Sequence, residues 1–119
     1  MSLTAMGMEA KRAARQLARA TTQQKDRALL ALAGLLLEAQ PEILAANRAD
    51  VANAQDLSPA MIDRLTLTPS RLEAIADDLR KLAEMPDPVG EVFDRATLPN
   101  GMQLYKQRVP LGVLAVIYE

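Results

Sequence analysis

Two charge patterns in this 119-residue chain have the residue types and the spacing for chemistry. Lys11, Arg15 and Arg19 recur at i, i+4 and i+8, so a helix would gather them into one basic stripe. Such a stripe is either a docking surface for an anion or the solvated side of an amphipathic helix. Asp77-Asp78 offers two adjacent carboxylates, the raw material of a divalent-cation site. Consecutive helical side chains point about 100° apart, however, so a helix turns the two away from a shared ion and toward water. Beyond these the inventory is bare. The chain has no cysteine and no histidine, the side chains most used for nucleophilic attack, zinc ligation and proton transfer near neutral pH. No phosphate-cradling glycine loop, nucleophile elbow or nucleophile with a base at recognisable spacing occurs.

Composition narrows the class further. Half of the residues are hydrophobic, 24% are charged, and the net charge is -1. A near-neutral balance gives no support to nucleic acid or an anionic membrane as partner, because both favour a strongly basic face. No run reaches the ~18 consecutive apolar residues of a membrane span, and the start lacks the apolar core of a secretion signal. The expected compartment is the cytoplasm. Alanine and leucine dominate while aromatic residues make up 3%, so helices packed through small side chains are the expected texture.

The elements that position these residues read as follows. Met1-Ser2-Leu3 is taken as a leader outside the fold, and a first helix is expected from Met8 to Ala20 with Ala10, Ala14, Leu17 and Ala18 on one side. Thr21 and Gln24 have the spacing of a capping box. A second helix then runs to Ala39 with Leu29, Leu32, Ala33, Leu36 and Leu37 inward, and Gly34 within it suggests close helix packing. Pro41 opens a third helix, to Ala54, in which Asn47 and Asp50 serve to cap or bond neighbouring backbone. Ser58-Pro59 and Thr68-Pro69 each place an N-cap oxygen before a proline, starting a short helix to Leu65 and a longer one to Ala83. Asp63-Arg64 is a candidate ion pair. Leu72, Ile75, Ala76, Leu79 and Leu82 recur at helical spacing.

Met85 to Gly90, with two prolines, ends the helical part. Asn100-Gly101 then predicts a tight primed turn, both central positions at positive φ, pairing Glu91–Thr97 with Leu104–Val109. After Pro110 and Gly112, Val113–Tyr118 is an unbroken apolar run of the kind buried on both faces of a parallel sheet. Such a strand needs flanking strands and helices. The chain therefore reads as the front end of a longer α/β protein.

Several stretches, in order, carry a family resemblance: AKRAARQLA (10–18), ILAANRADV (43–51), AMIDRLTLTPSRLEAIADDLR (60–80), DPVGEV (87–92), LPNG (98–101) and RVPLGVLAVIYE (108–119). Together they resemble the N-terminal part of the gamma-glutamyl phosphate reductase family, within the aldehyde dehydrogenase superfamily. Asp56 departs from that likeness, standing where a helix-closing glycine is expected. The resemblance implies an α/β fold, the N-terminal portion of an aldehyde dehydrogenase-like architecture. Residues 1–90 would be a helical segment of the cofactor-binding domain, 91–109 an oligomerisation-type β-hairpin, and 110–119 the first core strand of the cofactor-binding sheet. It implies NADPH-dependent reduction of glutamyl phosphate to glutamate 5-semialdehyde and phosphate, in proline biosynthesis, through a cysteine beyond Glu119. No catalytic residue falls within the chain, which by itself should not be a reductase. Ile117, Tyr118 and Glu119 match the rim of the cofactor site, and Ile117 and Tyr118 serve equally well as strand-end core residues. The hairpin implies a homo-oligomer. Two other readings stand beside this one: a free-standing helical module whose hairpin recruits a partner by strand addition, and another aldehyde dehydrogenase branch.

Overall fold

The computed structural model describes residues 2–54 and 56–117, as two compact bodies. The first, Thr22–Met85, is all helical: α2 (Thr22–Glu38), α3 (Gln40–Asn53), α4 (Pro59–Leu65) and α5 (Pro69–Glu84), with α1 (Leu3–Leu17) belonging to the second. Its core lies where α2 meets α5. Ala33 on α2 and Leu72 and Ala76 on α5 are 1%, 2% and 0% exposed. Two alanines at the centre of a helix pair let the backbones approach closely, with Leu72 filling the space beside them. Leu29, Leu36, Leu37 and Leu79 flank them half-buried. Leu32, expected inward, is instead exposed. Gly34 faces open space, with no atom within 4 Å of where a Cβ would stand, so no close packing offsets its cost.

The helix starts follow their caps. Ser58 Oγ accepts from the Met61 amide at 3.4 Å and Thr68 Oγ1 from the Arg71 amide at 3.2 Å, each before a proline in the first turn. Pro41 likewise sits in the first turn of α3. The expected Asp63-Arg64 pair is replaced by Asp63 with Arg71, at 2.8 Å, because the start of α5 brings Arg71 back over α4.

The second body comprises residues 1–21 and 86–119. α1 begins five residues earlier than expected, because Ser2 caps it by accepting from the Ala5 amide at 3.2 Å. Leu3 is therefore the first residue of the helix. β1 (Val92–Thr97) and β2 (Gln103–Gln107) form an antiparallel hairpin. Its loop corrects the turn expected from Asn100-Gly101: the Gly101 amide donates to the Leu98 carbonyl and the Leu98 amide to that of Met102, both at 2.8 Å. Gly101 has φ +86°, whereas Asn100 has no positive φ. Pro99 holds the negative φ of a common turn's first corner, leaving one left-handed residue, the glycine that closes a three-residue loop. The register slips between Phe93 and Ala96, and at that bulge Asp94 takes φ 50°. Residues 113–117 carry no strand in this chain, and Leu114, Val116 and Ile117 are largely exposed. The described residues include no third strand for them to pair with.

Candidate functional site

The basic stripe on α1 is split by its surroundings. Lys11 and Arg15 line a groove of about 510 Å³ between α1 and Pro110–Val113, with Gly7, Ala14 and Ala18 beneath them, while Arg19 is not part of it. Arg12, one residue around the helix, donates to Glu9 at 3.2 Å. Lys11 and Arg15 have no ion-pair partner among the described residues. The groove can set an anionic head beside an apolar body. Lys11 and Arg15 are the charged side chains among its lining residues.

The acidic pair on α5 is divided, as its helical spacing requires. Asp77 accepts from Arg80 at 2.6 Å and Asp78 from Lys81 at 3.0 Å. Each carboxylate thus has its own cation one turn on, and no three residues among those described cluster to hold a metal. The hydrogen bond that Lys81 donates to Asp78, with the charge of that carboxylate, holds the Lys81 ammonium above its ordinary value of 10.5.

The hairpin carries the densest side-chain chemistry. Lys106 pairs with Asp94 at 2.7 Å and Arg108 with Glu91 at 2.5 Å. Arg108 and Lys106 also lie over the Phe93 ring at 5.1 and 6.0 Å, and Arg95 over Tyr105 at 5.9 Å. These contacts fix the ribbon across its bulge. All residues of β2 are exposed, and beyond one another neither strand has a partner among the described residues.

Of the three residues expected at a cofactor rim, Ile117 is 89% exposed, and Tyr118 and Glu119 lie outside the described residues. An exposed aliphatic side chain can lie against a ring but offers no hydrogen bond to a ribose or phosphate. The groove at Lys11 and Arg15 was not legible in the sequence, because its far wall comes from residues 110–113, almost a hundred positions along the chain. The partners of Asn47 were hidden for the same reason: its amide donates to the Leu65 carbonyl at 2.8 Å and accepts from the Leu67 amide at 2.7 Å.

No single helix among the described residues is long and apolar enough to cross a membrane; α2 and α3 meet that length only as a pair bent by 66°. No family model matches the chain. Curated relatives do match along its whole length. It is 56% identical to a gamma-glutamyl phosphate reductase of Chloroflexus aurantiacus, covering 100% of the chain and 29% of the relative. It is 53% identical to one of Roseiflexus castenholzii, covering 99% and 29%, and 49% identical to one of Brucella suis, covering 96% and 28%. A crystal structure of gamma-glutamyl phosphate reductase from Thermotoga maritima superposes with a TM-score of 0.82 at 32% identity, over 92% of this chain and 27% of that one. The chain thus spans about 29% of the length of the relatives it matches, and over that span it is similar in sequence and fold to gamma-glutamyl phosphate reductases.

Proposed function

We propose that this chain, a stretch of the gamma-glutamyl phosphate reductase family, is the scaffolding part of a reductase that converts L-glutamyl 5-phosphate to L-glutamate 5-semialdehyde and phosphate. The observation that carries this reading is the coincidence of 56% identity and a TM-score of 0.82 over essentially the entire chain. In it, residues 1–90 form the helical segment that packs on the cofactor-binding sheet, 91–109 the hairpin through which copies of the enzyme associate, and 110–119 the first strand of that sheet. The enzyme works in proline biosynthesis, in the cytoplasm, with NADPH as the hydride donor.

The reaction needs a thiolate to displace phosphate from the acyl carbon and donors around the developing oxyanion. The chain has no cysteine, so residues 1–119 alone are inactive and their part is positional. Ile117, with Tyr118 and Glu119, then stands at the edge of the nicotinamide nucleotide site, where open α/β sheets take their ligands.

The test is a chimera. The 119 residues replace the matching stretch of the Chloroflexus aurantiacus relative, and phosphate-dependent oxidation of glutamate 5-semialdehyde is followed by NADPH formation. The expected result is activity within about tenfold of that relative, and none from the 119 residues alone. A soluble, folded chimera without activity, beside an active relative, overturns the proposal. The unpartnered hairpin edges favour a second reading, a free-standing module that recruits a partner by strand addition. That reading gains if the 119 residues are monodisperse and bind no apolar dye.

A further inference from the structure

Residues 58–68, α4 with its caps, are fastened by polar bonds where the rest of their body has a core. None of the residues of α4 is buried, and among the helices α4 packs only against α3. A helix this short does not persist in water unaided. Two side chains from other elements supply the attachment. Asn47 on α3, 8% exposed, spends both ends of its amide on the stretch that leaves α4, at the Leu65 carbonyl and the Leu67 amide. Arg71 reaches back from α5, donating to the carbonyl oxygens of Asp63 and Thr66 and pairing with the Asp63 carboxylate at 2.8 Å. Among the described residues all the buried apolar side chains, by contrast, belong to α2 and α5.

We infer that residues 58–68 are a strap that opens as a unit while the α2–α5 pair stays folded, with Asn47 as its catch. Opening exchanges a few protein hydrogen bonds for bonds to water, a small net change for each, and uncovers only the half-buried Ile62, Leu65 and Leu67. Arg71 and Asp63 are already well exposed, so their pair resists little. Parting α2 from α5 instead uncovers Ala33, Leu72 and Ala76. The two openings therefore differ in the surface they expose, the property that separates a local from a global opening.

Hydrogen exchange on the 119-residue chain, at rising urea below its unfolding transition, tests this. The Ile62 and Thr66 amides, bonded to the Ser58 and Ile62 carbonyls, should be at least tenfold less protected than those of Ala76 and Leu79, and nearly insensitive to urea. Asn47→Ala should speed exchange at Ile62 and Thr66 about 10- to 100-fold, and Asn47→Asp, which keeps the acceptor for Leu67, by less. Ala76 should quicken in step, since both openings break the same bonds. Equal protection and equal urea dependence at Thr66 and Ala76 in the unsubstituted chain would overturn the strap, even if Asn47→Ala fails to fold. Exchange at Ile62 and Thr66 unchanged within twofold in a folded Asn47→Ala chain would overturn the catch.

Discussion

If the α2–α5 contact is the core of the helical body, its stability turns on very few atoms, and Leu72→Ala is the perturbation that tests this. Leu72 is 2% exposed, so truncation gives up nearly the whole transfer free energy of its isobutyl group and leaves a hole between two helices. A fully buried leucine replaced this way costs about 3–5 kcal/mol. Ala33 and Ala76 beside it are equally sealed, so Ala76→Leu has nowhere to put its added carbons and should cost about 1–3 kcal/mol through overpacking. Leu82, on the same helix but 50% exposed, serves as control, and Leu82→Ala should cost at most about 1 kcal/mol. Urea unfolding followed by circular dichroism at 222 nm reads all three. Against the ~5–15 kcal/mol of an ordinary domain, Leu72→Ala should lower the midpoint severely or leave the body unfolded. The reasoning fails if Leu72→Ala and Leu82→Ala shift the midpoint equally, since exposure would then not be what decides the cost.

Three further outcomes follow from local geometry. Gly101→Ala should weaken the hairpin by about 1–2 kcal/mol through its φ of +86° alone, the space around it being open, and Asn100→Ala by less, as cross-strand NMR contacts would report; equal losses would restore the primed turn. Asp94→Ala should cost about 1–2 kcal/mol, losing both tolerance of φ 50° and the Lys106 pair, while Asp94→Asn keeps the first and costs less; equal losses would mean that the charge, not the backbone, decides. Lys81 is raised by Asp78, so its contribution to stability is fully present below pH 10.5 and fades as pH climbs through the higher folded value. Asp78→Asn should lower the midpoint of the Lys81 side-chain titration seen by NMR, and an unchanged midpoint would remove the pair as the cause.

What the sequence made legible was local. Ser58-Pro59 and Thr68-Pro69 announce two helix starts because cap oxygen and proline act within three residues of one another. The α5 stripe carries Leu72 and Ala76 in plain periodicity, although nothing in it marks Ile75 and Leu82 as the exposed edge. The primed turn was expected in error through a competition inside four residues: Asn100-Gly101 asks for two left-handed corners, and Pro99 forbids the arrangement by taking the first corner itself. Ser2 was passed over because Met1-Ser2-Leu3 was set aside as a leader, although its hydroxyl caps α1. Asn47 with Leu65, and Arg71 with Asp63 in place of Arg64, depend on how α3, α4 and α5 meet, which periodicity does not encode. The site was the least legible part, because the chemistry that the resemblance implies rests on a cysteine that the chain does not contain.

Large apolar side chains lie open on both bodies of the chain. Leu32 and Leu35 of α2 are 50% and 59% exposed, and Leu114, Val116 and Ile117 are 69%, 64% and 89% exposed. Contiguous apolar surface of this kind is ordinarily covered by something. In the proposed reading, the rest of a full-length reductase covers it, with 113–117 taking up the strand its β-branched composition favours once neighbours supply a ladder. The 119 residues alone should therefore bind apolar dye and self-associate at micromolar concentration. Leu114→Ser with Val116→Ser should weaken both, and Leu72→Ala should not act through this surface, because Leu72 contributes almost nothing to it. Monomeric behaviour with no dye binding, measured by sedimentation and fluorescence on the unsubstituted chain, would mean that these side chains are covered in solution and would refute the reasoning.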